Sequence, residues 1–240
     1  MTVAFRIDRP VEHIDLAVAA PLALEADRRA AVEAHFAGLA AKNPALWNGP
    51  FYLFEDVALD GATFRATARA TDYATFLLWR SEGFPGPRHT HIFPVPAVTT
   101  ADGRLLVGVM GRQTTNAGLA YPPSGSFDPG DLVDGRLDPV ANMLRELEEE
   151  AGVVAATLTA SPGFTVLDSG SRRIALVKRW RSAATSTELA REIAAHIGRE
   201  SDPELGGFDF LPFDRRLDER MTVPYVNTLL GLLEAEDRDG

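Results

Sequence analysis

Hydrophobic and polar positions follow two periods along the chain, and each period predicts one kind of element. Apolar residues at helical spacing predict helices over 25–42, 71–79, 138–153, 187–197 and 223–234. Alternating or continuous apolar runs predict strands over 51–59, 63–70, 91–99, 104–110, 153–158, 173–180 and 208–213. Because the strands and helices alternate irregularly, the pattern favours an α+β fold over a doubly wound parallel sheet.

A stretch of glycine and proline at 83–87 (Gly-Phe-Pro-Gly-Pro) interrupts this pattern and predicts a domain boundary. The sequence therefore predicts an N-terminal α/β accessory domain over 1–87, built on a mixed sheet. A second domain is predicted over 88–240, and it opens with a hairpin whose turn is Asp102-Gly103.

Composition and charge exclude several classes of protein. The 240 residues include no cysteine, which excludes disulfide scaffolds, thiolate zinc sites and cysteine nucleophiles. The net charge of −10 argues against binding to duplex nucleic acid or to an anionic membrane surface. The charged N-terminus has no signal-peptide core, and no run approaches the ~18 uncharged apolar residues of a membrane span. We expect a soluble cytoplasmic protein.

The most informative segment is 138–153, Asp-Pro-Val-Ala-Asn-Met-Leu-Arg-Glu-Leu-Glu-Glu-Glu-Ala-Gly-Val. Asp138 is a good N-cap, Pro139 suits the first helical position, and Gly152 suits the residue after the helix. The predicted core-facing stripe consists of Val140, Leu144, Leu147 and Ala151. One helix with a defined start, end and buried side is therefore predicted.

Three acidic residues, Glu146, Glu149 and Glu150, fall together on a different face of this helix, and Glu148 points away from them. Like charges at this spacing repel one another unless a cation neutralises them. Carboxylates are the ligands that Mg²⁺ or Mn²⁺ prefers. Arg145 lies four residues before Glu149 and can brace it. A solvated acidic helix face is the alternative interpretation.

The run from Arg145 to Val153 resembles the second half of the Nudix (MutT-like) hydrolase signature, R-E-U-x-E-E-x-G-U, at every specified position. The preceding hairpin and glycine- and proline-rich loop are similar to that family as well. The resemblance implies an α/β/α sandwich over about 88–240 and attack of water on a diphosphate linked to another group. It implies Glu146, Glu149 and Glu150 as ligands of Mg²⁺ or Mn²⁺, with Arg145 orienting them.

The first half of the signature does not match. Counting back from Arg145, Leu137 stands where the family has a glutamate and Asp131 where it has a glycine. The residues that could take over these roles are Gly125 or Gly130 for the glycine, and Asp134 or Asp138 for the glutamate.

Members of the family usually place a further acidic residue after the signature, where it can act as general base. The candidates at this place in the chain are Glu200, Asp202, Glu204 and Asp209, and we select Glu204. Ordinary solvated loop acids are the alternative.

Two N-terminal segments, 46–54 (LWNGPFYLF) and 60–80 (DGATFRATARATDYATFLLWR), resemble the region before the Nudix domain in a branch that cleaves UDP-glucose and UDP-galactose. This resemblance implies a UDP-sugar substrate. The net charge argues against a nucleic-acid or membrane partner, and the resemblance to Nudix proteins, which are often dimers, implies a homodimer as one oligomeric state. The alternatives are a pyrophosphatase of ADP-ribose, dinucleotides or nucleoside triphosphates, a catalytically impaired nucleotide-binding regulator, and an unrelated accessory sheet.

Other polar clusters carry weaker signals. His89 and His91 share a strand face, but the sequence offers no third zinc ligand near them. A basic cluster around one strand either contacts diphosphate or forms an exposed strand face: Arg172, Arg173, Lys178, Arg179 and Arg181. The chain has neither a P-loop nor the Gly-x-Ser-x-Gly elbow of serine hydrolases.

Overall fold

Most of the predicted apolar patterns form the expected elements in the computed structural model, which describes residues 6–86 and 88–239. The strands are β1 (Arg6–Val11), β2 (His13–Ala19), β3 (Pro50–Asp60), β4 (Thr63–Asp72), β5 (His91–Thr99), β6 (Arg104–Met110), β7 (Ala120–Tyr121), β8 (Leu132–Val133), β9 (Arg136–Leu137), β10 (Leu158–Ala160), β11 (Phe164–Asp168), β12 (Arg173–Ser182) and β13 (Leu205–Pro212). The helices are α1 (Ala26–Ala40), α2 (Tyr73–Ser81), α3 (Pro139–Ala151), α4 (Ser186–Ile197) and α5 (Pro224–Asp239). None of the described helices is both long and apolar enough to cross a membrane.

The strands form two mixed sheets. The larger sheet has the order β1-β11-β12-β5-β6-β13, with β10 beside β12 and β7 beside β6, and only its β5–β12 pair is parallel among the described strands. The smaller sheet has the order β3-β4-β2-β9-β8, in which β2 and β4 are parallel. Two mixed sheets with separate helices confirm the predicted α+β class.

The larger sheet is covered on both faces. On one face, Ile174 and Leu176 of β12 share a buried apolar layer with Phe54 and Phe64 of the smaller sheet. Val177, which the alternation of a strand turns to the other face, lies with α5 residues such as Leu229. Helix α3 packs against β5. The larger sheet therefore lies between two buried apolar layers, one shared with the smaller sheet and one shared with the helices.

The two predicted units exchange strands. Strand β1, from the N-terminal unit, pairs with β11 of the larger sheet. In the opposite direction, β9 and β8, from the C-terminal unit, extend the smaller sheet beside β2. Pro87, the last residue of the predicted N-terminal domain, lies outside the described residues. The domain boundary near residue 87 stays a prediction. Each sheet contains strands from both sides of that residue.

One predicted strand, over 153–158, is wrong for most of its length. Gly152 adopts a left-handed conformation, and a 3₁₀ turn follows at Ala155–Thr157, where the Thr157 hydroxyl donates to the Val154 carbonyl (2.8 Å). Only the short β10 remains as a strand. Strands β1, β2 and β11 were not predicted. Charged residues interrupt the apolar alternation of β1 and β2, and β11 is only five residues long.

Candidate active site

Helix α3 begins and ends where its sequence predicts. The Asp138 carboxylate accepts hydrogen bonds from the backbone N–H groups of Val140 (2.8 Å) and Ala141 (3.2 Å), and Pro139 occupies the first turn. Gly152 closes the helix with φ of 67°, a conformation in which other residues are strained. These two caps fix the register of every side chain on the helix.

The buried face of α3 is wider than the predicted apolar stripe. Leu147 and Ala151 are buried as expected, whereas Val140 and Leu144 are only partly buried at the edge of the core. The helix also buries Asn142, whose amide donates to the Asp131 carboxylate (2.9 Å) and the Ser126 carbonyl (3.2 Å). The turn before the helix therefore covers a face that the apolar pattern leaves to solvent.

Two of the predicted carboxylates lie inside this covered face. Glu146 is 8% exposed and Glu150 is 4% exposed. Burial raises the pKa of Glu146 to about 7, against the lowering effect of Arg145. Burial, together with the charges of Glu204 and Glu146, raises the pKa of Glu150 to about 9. Without a cation, the site therefore disfavours the ionised carboxylates.

Glu149 lies at the exposed rim of this cluster. Its carboxylate accepts from Arg145 Nη1 (3.0 Å), as the four-residue spacing predicts, and 61% of its side chain is exposed. In the described conformation, Glu149 thus faces Arg145. Within residues 6–86 and 88–239, no three histidine or acidic side chains form a ready-made metal site. The helix brings Glu146 and Glu150 together and leaves Glu149 beside them.

Asp131 is a functional candidate that the sequence did not reveal. It is 1% exposed, and its two carboxylate oxygens accept from Nε and Nη2 of Arg145, each at 3.1 Å. The same arginine contacts Glu146 through Nη1 (2.8 Å). The sequence offered Asp134 and Asp138 as substitutes for the missing glutamate, but Asp138 caps the helix and Asp134 is exposed.

A local sequence pattern, two aspartates three residues apart around Pro129, could have pointed to Asp131. Asp128 and Asp131 form a capping box around a 3₁₀ turn at Pro129–Asp131, in which Asp131 also accepts from the Asp128 backbone N–H (2.9 Å). Leu137, at the position of the family's glutamate, is 2% exposed and belongs to the apolar layer between the sheets. It is therefore a core residue here.

Gly125 lies directly against the carboxylate of Glu146. A Cβ atom at position 125 would overlap all three carboxyl atoms of that side chain. Gly130, the other glycine candidate, lies next to Asp128 instead. A side chain at position 125 would have to displace the carboxyl end of Glu146, so the glycine permits this close approach of backbone to carboxylate.

Glu146 lines a groove of about 520 Å³ between the two halves of the chain. Glu146, Asp202 and Glu204 line one side, and residues 45–47 and 49–51 with Tyr73 line the other. The walls are tied together, because Asn43 donates to the Gln113 carbonyl (3.2 Å) and the Tyr73 hydroxyl to Thr115 (3.0 Å). The groove is acidic on one wall and aromatic on the other.

The candidates for a general base divide into two groups. Glu204 and Asp202 line the groove, whereas Glu200 pairs with His196 (3.0 Å) and Asp209 lies at a separate surface. The Glu204 carbonyl accepts from the Gly111 N–H (2.8 Å), which fixes the backbone of Glu204 immediately before β13. Burial, and then the charges of Glu149 and Glu200, raises the pKa of Glu204.

The basic residues on and beside β12 contact different parts of the molecule and do not converge on one site. Lys178 donates to the carbonyls of Ser161 and Gly163 (both 3.0 Å), and Arg179 pairs with Glu236 (2.9 Å). Only Arg173 lines a cavity that shares residues with the groove. His89 lies 3.3 Å from the Glu55 carboxylate, and His91 packs against the rings of Phe51, Phe76 and Phe93.

No family model matches the chain, and no curated protein matches it. Among solved structures, the chain is similar to a NUDIX hydrolase from Nitrosomonas europaea (TM-score 0.42, 15% identity, 61% of this chain and 90% of that one). It is similar to a mutT/nudix family protein from Listeria innocua (0.42, 15%, 62% and 95%) and to a C. elegans Ap4A hydrolase in a binary complex (0.40, 14%, 61% and 96%). These likenesses are partial, and the first two structures bear the name of the superfamily whose signature the α3 segment resembles.

Proposed function

We propose that the protein is a Nudix-type pyrophosphohydrolase that cleaves a nucleoside diphosphate linked to another group. The observation that carries this proposal is the pair of buried carboxylates, Glu146 and Glu150, of which Glu146 lines an open groove together with Glu204. Burying several carboxylates beside one another is costly unless a cation joins them. A groove of this kind suits a substrate that arrives with a divalent metal ion.

The residues fit such an ion. The buried Oε2 atom of Glu150 has no hydrogen-bond partner among the described residues, and the groove supplies hard oxygen ligands. Glu146, Glu149 and Glu150 would hold Mg²⁺ or Mn²⁺, with Glu149 turning from Arg145 toward the other two. When bound, the ion supplies charge neutralisation at the diphosphate and activation of the attacking water.

Side chains of the protein position the carboxylates and the attacking water. Arg145, fixed by Asp131, holds the carboxylate of Glu146 in place on the helix. Glu204 accepts the proton of the attacking water at its carboxylate, from a backbone position fixed by Gly111. The water attacks one phosphorus, the bridging oxygen leaves with the other phosphate, and two phosphate monoesters result.

The aromatic wall of the groove supports a nucleotide substrate. Trp47 is 74% exposed, an unusual state for a large apolar side chain. One face of its indole lies on Gly49, where a Cβ atom would overlap the ring, so the other face can stack on a planar base. We assign the base to this wall and a UDP-sugar as the leading substrate, on the resemblance of the segments around Trp47.

A substrate panel tests this proposal. We expect the protein with Mg²⁺ or Mn²⁺ to convert a UDP-sugar into UMP and a sugar phosphate, followed by ³¹P NMR. Reaction in H₂¹⁸O identifies the phosphorus that is attacked. Faster turnover of ADP-ribose, a dinucleotide or a nucleoside triphosphate would transfer the assignment to that class. Binding of these nucleotides without turnover of any of them would instead identify a nucleotide-binding regulator.

A further inference from the structure

A second cavity lies beside the acidic groove, and its charge is opposite. This arginine cavity has a volume of about 170 Å³ and is lined by two arginines, Arg80 and Arg173. Aromatic rings, among them Phe76, Phe84 and Tyr225, form much of the remaining wall. None of the described residues that line it is acidic. The lining therefore carries two formal positive charges and no negative one.

The two arginines act on the same imidazole. His91 lies between the aromatic rings, and its buried Nε2 atom has no hydrogen-bond partner among the described residues. Burial, followed by the charges of Arg173 and Arg80, lowers the pKa of His91 to about 3, so the imidazole is neutral at pH 7. Burial, followed by the charge of Arg80, also lowers the pKa of Arg173. Like charges in a partly buried cavity favour the binding of an anion.

The arginine cavity adjoins the site of the proposed reaction. Gly125 and Ser126 line both the cavity and the acidic groove. Tyr121 and Tyr225, from the cavity wall, lie near Glu150, whose charge adds to the effect of burial in raising the pKa of each phenol. A molecule bound across Gly125 would therefore have one part at the carboxylates and another part at the arginines.

We propose that the arginine cavity binds a phosphate monoester, the kind of group that pyrophosphate cleavage produces. This proposal rests on the proposed function for the origin of the monoester. A monoester is a dianion with three terminal oxygens, and two guanidinium groups match both its charge and its acceptors. A phosphate within an intact diphosphate carries less charge, so the cavity favours a product over the substrate and the enzyme is inhibited by that product.

Binding in the absence of metal tests this assignment, since EDTA removes any contribution of a metal ion at the carboxylates. By calorimetry, we expect wild-type protein in EDTA to bind inorganic phosphate, UMP and glucose 1-phosphate but not uridine. Arg80→Gln, at an exposed position, should weaken phosphate binding at least about tenfold, which is about 1.4 kcal/mol. Arg181→Gln, an exposed arginine on β12, is the matched control and should bind as wild type.

Arg173 provides a second test. Arg173→Gln should also weaken phosphate binding, and Arg173→Lys should restore part of it because the charge returns. No binding of phosphate by the wild type, equal binding by Arg80→Gln, or binding of uridine as tight as that of UMP would overturn the proposal. A protein that binds phosphate in EDTA but hydrolyses no nucleotide would contradict the proposed function alone.

Discussion

The carboxylate of Asp131 is the buried partner of Arg145. It holds Arg145 through two hydrogen bonds of 3.1 Å, although the signature would place a glycine at this position. Leu137, where the signature has a glutamate, is buried in the apolar layer between the sheets. The motif thus predicts Arg145 and the helix glutamates, but not the partner of Arg145, because that contact depends on how the preceding loop folds back.

Asp131→Asn tests this role. The amide loses the ionic pair with Arg145, so we expect kcat to fall at least about tenfold, with a loss of about 1–3 kcal/mol in the free energy of unfolding. Asp134→Asn, at an exposed position, should leave both quantities unchanged. Steady-state kinetics and chemical denaturation measure the two effects. Wild-type kcat in Asp131→Asn would show that Arg145 needs no such support.

Gly125→Ala tests the close approach of backbone and carboxylate. The new methyl group displaces the flexible end of Glu146, so we expect turnover to fall about tenfold or more while the free energy of unfolding changes by less than about 1 kcal/mol. Gly38→Ala, where a Cβ atom meets nothing within 4 Å, is the control for an added methyl group and should retain full turnover. Equal turnover in the two variants would argue against a positioned Glu146.

At the scale of the element, α3 was predictable in its limits and only partly in its orientation. Asp138, Pro139 and Gly152 mark its ends by local chemistry that needs no other part of the chain. Its buried face includes Asn142, Glu146 and Glu150, which an apolar pattern assigns to solvent. Polar burial of this kind depends on partners in distant segments, and so the sequence could not predict it.

The buried carboxylates of α3 predict a stability that depends on pH. The pKa values of Glu146 and Glu150 in the folded state are raised, to about 7 and about 9. The stability that these groups contribute is therefore fully present below the ordinary carboxyl pKa of about 4.5. As the pH rises past the ordinary value of about 4.5, only the unfolded state ionises, and the free energy of unfolding falls until about pH 9. Thermal denaturation in EDTA between pH 5 and 9 measures this decline.

A matched pair of variants isolates the source of the decline. Glu150→Gln should reduce the slope with pH, since one raised pKa is removed, and the exposed Glu148→Gln should leave the slope unchanged. Mg²⁺ should raise the melting temperature of the wild type most at pH 8–9, where the carboxylates are free to bind it. A slope that is identical in Glu150→Gln and wild type would contradict the burial of Glu150.

At the scale of the whole molecule, the exchange of strands joins the two predicted units. Sequence patterns identify β3, β4, β5, β6 and β12, but the pairing of β1 with β11 and of β9 with β2 joins segments far apart in the chain. Local periodicity carries no information about such partners. The groove, which has one wall from each unit, could not be predicted for the same reason.

This architecture predicts that the C-terminal unit does not fold alone. A fragment of residues 88–240 lacks Phe54, Phe64 and β1, so the apolar face of β12 around Leu176 would lie in water. We expect this fragment to aggregate or to unfold without cooperativity, whereas the full chain unfolds cooperatively. Circular dichroism and size-exclusion chromatography would decide, and a soluble, cooperatively folded fragment would show an independent domain.

We propose that the carboxylates of α3 bind the metal ion that pyrophosphate cleavage requires. The most direct measurement is the turnover of the preferred nucleotide as a function of Mg²⁺ or Mn²⁺ concentration, in wild type, Glu149→Gln plus Glu150→Gln, and Glu148→Gln. We predict that the double variant loses at least about 100-fold in turnover, about 2.7 kcal/mol, with weaker metal dependence, while Glu148→Gln matches the wild type. Equal turnover and equal metal dependence in all three proteins would contradict the claim.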